Sequence, residues 1–441
     1  MSEQNASELA PKKSSRNISS LIKILVVILL GKIALDLFIP TQNNTFEFNA
    51  FDAEQELIES TDPIKYLAEL WSSGKIPQRR FVVTRLRNQA NNEEKIEFRK
   101  LLLDQCLKEG VNDADIQLRE LILSATARIH SSLRDDYRYS KGSEQNSKKD
   151  ALLKFEEEYF IPACLVQLED FDPVVNTMGI RYARGLENRK SLSTKVIELL
   201  DTPNPELLSQ AAGYLRLVTG EDYGILLKDL PDKGDVRKAP GIKEKISQWD
   251  SYMKENSNEY LEAFNGIKTL ERKNSHLSHD YMKVAGKTMK GKSIQLHDYS
   301  GKLLVLSFWA SWCTPCEDEL PILDKIQKEN SDSLKILTVS LDGVPSIHGI
   351  KDDDGNIIDD TSGNTPQNRQ KIENMLEKTK VELDVIWDFD NKLAQRYEGG
   401  NLPAHAIYDG SGHLVRVFGG SRTEDAWNKI INGIQKMKPA H

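Results

Sequence analysis

Residues 303–321 read LLVLSFWASWCTPCEDELP. The first seven residues, Leu303 to Trp309, are apolar except for Ser307 and predict a buried strand. A short turn then leads to Cys313 and Cys316, and a helix is predicted from Glu317 to Lys328. A buried strand that runs through a CxxC motif into a helix predicts an α/β sheet domain with its chemistry at the strand-to-helix junction.

The rest of the C-terminal third has the same texture of short apolar runs separated by Gly and Asp. Further strands are predicted at Lys335 to Leu341, Val385 to Trp387, His405 to Tyr408 and Leu414 to Phe418. Asp409-Gly410-Ser411-Gly412 predicts a hairpin turn between the last two strands, and Glu424 to Met437 predicts a final helix.

The two cysteines are placed for thiol–disulfide exchange. At a helix start, Cys313 faces backbone N–H groups and the positive end of the helix dipole, and both favour the nucleophilic thiolate. Cys316 lies three residues later, so that one helical turn brings it beside Cys313, where it can resolve a mixed disulfide. Pro315 stiffens the loop, and Trp312 is expected to cover one side of the pair.

Other functions of a CxxC motif fit less well. Zinc needs four ligands, and the sequence has no second CxxC or Cys/His cluster, so no metal is expected. Covalent haem needs a His after the second cysteine, where this chain has Glu317. A structural disulfide that closes so short a loop adds little stability. The sequence therefore predicts a redox-active cysteine pair without a further cofactor.

Residues 286–321, GKTMKGKSIQLHDYSGKLLVLSFWASWCTPCEDELP, resemble the TlpA/ResA-type membrane-anchored thioredoxins of bacteria. This resemblance implies that Glu319, three residues after the second cysteine, accepts a proton from the buried thiol. A carboxylate that only complements the helix dipole is the alternative role. The resemblance also implies a cis-proline opposite the motif, matched by Leu402-Pro403, that presents backbone to a substrate segment.

One departure from the family follows that proline. Relatives usually continue with Pro-Thr, whereas this chain reads Pro403-Ala404-His405-Ala406. His405 alternates into an apolar strand, which favours a structural neighbour of the site over a modulator of the cysteine pKa.

Length and charge bound the remaining possibilities. The chain has 441 residues, which predicts two to three domains, and a formal net charge of -8, which argues against nucleic-acid binding. Its four cysteines are too few for a disulfide-stapled scaffold. Cys106 and Cys164 fall in amphipathic helices, which favours buried thiols over a disulfide between them.

The N-terminus predicts a membrane anchor. A basic tail, residues 1–17, precedes an apolar run over 18–39 that is just long enough to cross a bilayer. No small-residue cleavage site follows it, which favours an uncleaved signal anchor over a cleaved signal peptide or a buried helix. The basic side stays in the cytoplasm, so the C-terminal domains are expected outside the bacterial cytoplasmic membrane, in the periplasm.

Between a spacer over 40–61 and the redox domain over 278–441, residues 62–273 predict an all-α domain. Segments from Pro173 and from Pro205 share their Pro, Tyr and Arg in register, a pattern typical of HEAT-like helical repeats. An irregular helical bundle is the alternative. The polar stretch from Tyr139 to Asp150 predicts a loop, and so does the acidic Asp352-Asp353-Asp354 in the insert over 342–371.

These observations predict a multi-domain, anchored thiol–disulfide oxidoreductase. Its expected partners are protein thiols and disulfides and an upstream membrane or periplasmic electron donor. Thr-Pro between the cysteines resembles the reducing relatives, which favours the reducing direction. Two alternatives are a helical scaffold whose redox domain is secondary and a thioredoxin-fold peroxidase, although the peroxidase motif P-x-x-x-T-x-x-C is absent before Cys313.

Overall fold

The computed structural model describes residues 48–89, 96–231, 234–265, 267, 285–344, 363–388, 393–397 and 402–437. The predicted anchor over 18–39 and the acidic triplet at Asp352 lie outside the described residues. Among the residues that are described, no helix is long and apolar enough to cross a membrane.

The middle of the chain is helical. Its α-helices are α1 (Ala50–Glu59), α2 (Pro63–Ser72), α3 (Ile76–Gln89), α4 (Ile96–Lys100), α5 (Lys108–Gly110), α6 (Ile116–Tyr139), α7 (Ser143–Phe155), α8 (Ile161–Leu168), α9 (Pro173–Ala183), α10 (Ser193–Glu198), α11 (Pro205–Thr219), α12 (Ile242–Glu255) and α13 (Ser257–Asn265). Turns of π-helix at Leu101–Leu107 and Glu156–Phe160 continue α4 and α7.

Two stretches are more helical than the sequence suggested. The predicted loop over Tyr139 to Asp150 is wrong, because α7 begins at Ser143, directly after Gly142. Its polar residues face solvent, while Leu152 and Phe155 are buried, so one short apolar stripe holds the helix. Residues 50–59 of the predicted spacer form α1, with Asn49 as its N-cap.

The two similar segments form helices α9 and α11, which begin in the same way. Asp172 caps α9 by accepting from Val174 N–H, and Asn204 caps α11 by accepting from Leu207 N–H. Each helix has Pro at its first position, where a missing N–H costs nothing. The helices pack against each other. Whether they belong to a HEAT-like repeat remains a prediction.

The C-terminal third is an α/β domain. Its elements are β1 (Ala285–Lys287), β2 (Ser293–Gln295), β3 (Leu303–Trp309), α14 (Thr314–Glu329), β4 (Leu334–Ser340), α15 (Pro366–Thr379), β5 (Asp384–Trp387), β6 (Ala404–Tyr408), β7 (Leu414–Gly419) and α16 (Glu424–Lys436). The main sheet has the order β5-β4-β3-β6-β7. Strands β3, β4 and β5 run parallel, while β6 and β7 are antiparallel to their neighbours. The strands and helices predicted from the sequence are confirmed to within a few residues.

Alternation along β3 and β6 sorts their side chains between the two faces of the sheet. Val305, Trp309 and Ile407 belong to the same apolar cluster as the two redox cysteines and α16. Leu306 and Ala406 point to the opposite face, which has its own cluster. The face that carries the cysteines is therefore covered by α14 and α16.

The helical part and the α/β part are in direct contact. Backbone N–H of Val417 on the edge strand β7 donates to Ala114 C=O at 2.8 Å, and Asp115 pairs with Val417 as a short parallel bridge. Gly433 on α16 leaves room for the Phe171 ring, which an added side chain would meet at 2.5 Å. Residues from Phe48 onward consequently form one compact unit.

Candidate active site

Cys313 and Cys316 are joined by a disulfide at the N-terminus of α14, with Cα atoms 5.3 Å apart. Cys313 is the N-cap residue, and its carbonyl accepts from the N–H groups of Cys316 and Glu317. Cys313 is 5% exposed and Cys316 is 1% exposed, so the first cysteine is the more accessible of the two. The helix start therefore carries the accessible sulfur at the positive end of its dipole, as predicted.

An aspartate at the end of β4 holds the turn that leads to Cys313. The Asp342 carboxylate is buried and accepts from Ser311 N–H, from Ser311 Oγ at 2.5 Å and from Ser340 Oγ at 2.9 Å. Its backbone carbonyl accepts from Trp387 Nε1. Asp342 was not predicted as a site residue, although it directly follows the predicted strand 335–341, and residues just after parallel strands lie together at one edge of the sheet.

The residues around the disulfide differ sharply in exposure. Trp312 is 73% exposed, so it lies at the surface next to the buried pair, and its expected role in covering one side of the pair stays a prediction. Pro315 is exposed at the second position of α14. Glu317, in the first turn of the helix, pairs with Lys378 at 2.7 Å. An exposed aromatic side chain and an exposed proline thus lie next to a disulfide that is itself buried.

Glu319 lies in the second turn of α14 and is 1% exposed. Its Oε1 accepts from Arg422 N–H at 2.7 Å and from Trp427 Nε1 at 2.9 Å, while its Oε2 lies 3.2 Å from Nε2 of His405. A charge that only complements the helix dipole belongs in the first turn and near solvent. The acid in that position is Glu317, so the burial of Glu319 argues against the dipole role.

The surroundings of Glu319 stabilise its anion. Burial by itself would raise the pKa of this carboxyl group, but the charge of His405 and the N–H donors of Arg422 and Trp427 outweigh burial and lower the pKa. Since Glu319 follows Cys316 by three residues in one helix, the two side chains share a face of α14. An ionised carboxylate is therefore available beside the buried cysteine.

His405 lies on β6, opposite Ser307 of β3, and is 1% exposed. Its ring packs against Phe418 and Trp427, with centroid distances of 4.8 and 4.9 Å. Its Nε2 lies within ion-pair distance of Glu319 Oε2, and neither ring nitrogen meets the geometry of a directed hydrogen bond within the described part of the chain. The sequence placed His405 near the site, and the structure brings it onto the carboxylate.

Leu402 and Pro403 precede β6, and the peptide bond between them is cis, as predicted. Ala404 pairs with Phe308, one residue before the end of β3. Because β6 is antiparallel to β3, its beginning lies at the same edge of the sheet as the turn before Cys313. A role of these two residues in substrate binding remains a prediction.

The other two cysteines take no part in this site. Cys106 and Cys164 are buried free thiols, and burial raises the pKa of each. Across the residues that the structure describes, no group of three His, Cys, Asp or Glu side chains is arranged to hold a metal ion.

A buried disulfide at the junction of a parallel strand and a helix defines the C-terminal third as a thioredoxin-like domain. Residues 278–417 match the AhpC/TSA family. The chain is 25% identical over 146 residues to the thiol-disulfide oxidoreductase ResA of Bacillus subtilis, which covers 33% of this chain and 68% of that relative. The C-terminal third is accordingly a thiol–disulfide oxidoreductase domain similar to ResA.

Two further similarities are more limited. The thioredoxin-like protein YneN of Bacillus subtilis is 44% identical over 54 residues. This match covers 12% of this chain and 32% of YneN, so the chain spans about a third of that relative. The crystal structure of StoA from Bacillus subtilis is 25% identical, with a TM-score of 0.26, and covers 34% of this chain and 95% of that one.

Proposed function

We propose that this chain is an extracytoplasmic oxidoreductase that reduces disulfides in protein substrates through Cys313 and Cys316. The observation that carries the proposal is the disulfide at the helix start, in which Cys313 at the N-cap is less deeply buried, at 5% exposed, than Cys316 a turn later, at 1%. The exposed Trp312 and the adjacent Leu402-Pro403 backbone are the surface on which a substrate segment would lie. The apolar segment over 18–39 would hold the chain in the membrane.

The exchange takes two steps in the proposed direction. The Cys313 thiolate attacks one sulfur of the substrate disulfide, which breaks that bond, forms a mixed disulfide and releases one substrate thiolate that takes a proton. Cys316 then loses its proton and attacks the Cys313 sulfur, which releases the second substrate thiol and forms the Cys313–Cys316 disulfide. The substrate gains two electrons and two protons, and a dithiol protein outside the cytoplasm must supply both to restore the chain.

Glu319 is the group that accepts the proton of Cys316, and His405 supports it. The Glu319 carboxylate is ionised and held by two N–H donors, so it can accept a proton as the thiol becomes a nucleophile. His405 at 3.2 Å stabilises the anion before that transfer. The carboxylate would otherwise be an unpaired buried charge, which is costly.

The reduction potential of the Cys313–Cys316 couple tests this proposal. The full-length chain is equilibrated in glutathione buffers of graded ratio, and the fraction of dithiol is measured by thiol alkylation and mass. We expect a potential below that of protein disulfide isomerase, about −180 mV, as a reductant requires. A potential near that of DsbA, about −120 mV, would make the chain an oxidant and reverse the proposed direction.

A further inference from the structure

Asp172 of the helical region and Arg422 of the redox domain form a buried ion pair. Arg422 Nη2 and Asp172 Oδ2 are 3.2 Å apart, and the Arg422 Nε lies 3.3 Å from both carboxylate oxygens. Asp172 is fully buried and Arg422 is 6% exposed. Asp172 also accepts from Val174 N–H at 2.9 Å as the N-cap of α9. One carboxylate therefore joins the start of a helix to the other part of the chain.

The same arginine shapes the turn between β7 and α16. Its Nη1 donates to the carbonyl groups of Gly419 at 3.3 Å and Gly420 at 3.0 Å, and its guanidinium lies 4.5 Å from the centroid of the Phe418 ring. Gly420 has a φ of +83°, which glycine adopts without strain. The guanidinium thus contacts this turn through two backbone carbonyl groups and through the Phe418 ring.

That backbone is what holds Glu319. The N–H of Arg422 donates to Glu319 Oε1 at 2.7 Å. A continuous series of polar contacts consequently runs from Asp172, through the side chain and then the backbone of Arg422, to the carboxylate beside Cys316. Asp172 and Arg422 are 250 positions apart in the sequence, and Arg422 and Glu319 are 103 positions apart.

We propose that Asp172 and Arg422 are positioning residues through which the helical region orients Glu319 and so sets the rate at which Cys316 resolves a mixed disulfide. This inference rests on the proposed function. The helical region is then a working part of the redox site, because its carboxylate decides where the Arg422 N–H points. A neutral residue at position 172 leaves the guanidinium with its carbonyl partners only, and the turn loses its anchor.

A second ion pair at the same contact provides a matched control. Arg416 Nη2 donates to Asp170 Oδ1 at 2.7 Å, and the Arg416 guanidinium lies 4.5 Å from the centroid of Phe171. Arg416 is 2% exposed, so this pair is as buried as the first one. Arg416 Nη2 also lies 3.7 Å from Asp172 Oδ2, and Asp170 Oδ1 accepts from the Asp172 N–H at 2.8 Å, but it is the Arg422 N–H that contacts Glu319. Neutralising Asp170 weakens the same contact between the two parts of the chain, while Asp172 keeps its charge and its ion pair with Arg422.

The experiment uses the full-length chain with glutathione attached to Cys313, and it follows glutathione release by stopped flow. Asp172→Asn keeps the N-cap acceptor, since Asn caps helices as well as Asp, but removes the charge that binds Arg422. We expect it to slow release about tenfold, as the loss of one charge-assisted contact allows. Asp170→Asn should lower the melting temperature yet leave release within about twofold of the original rate.

A double variant then tests whether the effect passes through Glu319. Asp172→Asn combined with Glu319→Gln should be no slower than Glu319→Gln alone, because both changes act on one group. Arg422→Lys keeps the backbone N–H and the charge but loses the planar fork, so it should slow release as well. Arg422→Lys also tests the inference if the Asp172→Asn variant does not fold.

Three outcomes would overturn the inference, and they are distinguishable. Release at the original rate in a destabilised Asp172→Asn variant would make the ion pair purely structural. Additive effects in the double variant would place its action elsewhere. Unchanged release in Glu319→Gln would remove the role of the carboxylate while disulfide exchange stands. Absence of any exchange in the unmodified chain would instead refute the proposed function itself.

Discussion

Glu319 and His405 come from different elements, α14 and β6, and meet with Oε2 and Nε2 3.2 Å apart. Both are 1% exposed, in an apolar cluster that includes Trp427 and the two redox cysteines. A buried carboxylate is costly unless it has partners, and His405 together with the N–H donors of Arg422 and Trp427 provides them for Glu319.

Replacement of His405 should raise the pKa of Glu319. Burial raises this pKa and the charge of His405 is the largest influence that lowers it, so His405→Gln leaves burial less opposed. We expect the acid limb of the mixed-disulfide resolution rate to move to higher pH. A pH–rate profile from pH 3 to 8 measures this shift.

His413→Gln is the control for that profile. His413 faces Asp409 in the β6–β7 hairpin, and it is only partly buried. Its replacement removes an imidazole of the same domain without changing the surroundings of Glu319, so the acid limb should stay in place. An unmoved limb in His405→Gln would show that the imidazole does not tune the carboxylate.

The two cysteines should trap substrate unequally. Cys313 at the N-cap is the less deeply buried cysteine and the proposed attacking thiol, because a helix start favours a thiolate, whereas Cys316 lies a turn later. Cys316→Ser should therefore accumulate a mixed disulfide with substrate, and Cys313→Ser should not. Non-reducing gels followed by mass spectrometry measure the adducts, and equal trapping by both variants would contradict the assignment of the attacking thiol.

Local sequence patterns predict most of the strands and helices of the redox domain, but few of the contacts that surround its site. The strand β3 and the CxxC motif at its helix junction are encoded by adjacent residues, so apolar patterning and local motifs predict them, whereas the cis-proline was expected from the family resemblance. Trp427 and Arg422 reach Glu319 from 108 and 103 positions away, and no local pattern encodes such contacts. The helix α7 was missed for a related reason, since only its packing against neighbouring helices reveals which of its polar residues face solvent.

The Asp170 pair predicts a loss of stability in acid. Burial opposes ionisation of Asp170, but Arg416 and Arg119 outweigh it and hold the pKa below its usual range. The carboxylate therefore stabilises the fold above the unfolded-state pKa of about 3.9, and this contribution disappears as pH falls through the lower folded-state pKa.

The comparison of Asp170→Asn with the unmodified chain isolates this contribution. The difference in free energy of unfolding should be about 3 kcal/mol at pH 7, as for a broken buried pair, and should shrink below pH 4. Urea unfolding at several pH values measures it, with Asp222→Asn as a surface control. A difference that stays constant from pH 7 to pH 3 would contradict the shift in the Asp170 pKa.

The segment over 18–39 predicts the topology of the chain. Its basic flank should remain in the cytoplasm, so a reporter that is active only outside the cytoplasm should be active when fused after His441. Membrane fractions should retain the full-length chain. A soluble chain in the cytosolic fraction would contradict the anchor.

Replacement of Glu319 separates its catalytic role from a structural one. Glu319→Gln keeps the volume and an oxygen that can accept from Arg422 N–H and Trp427 Nε1, but it removes the charge beside Cys316. Capture of substrate by Cys313 should continue, because that thiolate is stabilised by the helix start. Resolution should slow about 10²-fold at neutral pH, as the loss of a general base allows, and should recover as pH approaches about 8.5.

Glu317→Gln is the matched control for that measurement, because Glu317 is an acid in the first turn of the same helix. It pairs with Lys378 at the surface, so its loss removes charge near the helix start without removing the buried carboxylate. It should lower stability by at most about 1 kcal/mol and leave the rate unchanged. If Glu319→Gln likewise only melts at a slightly lower temperature and resolves the mixed disulfide at the original rate from pH 6 to 9, the carboxylate holds α14 to the turn before α16 and takes no proton.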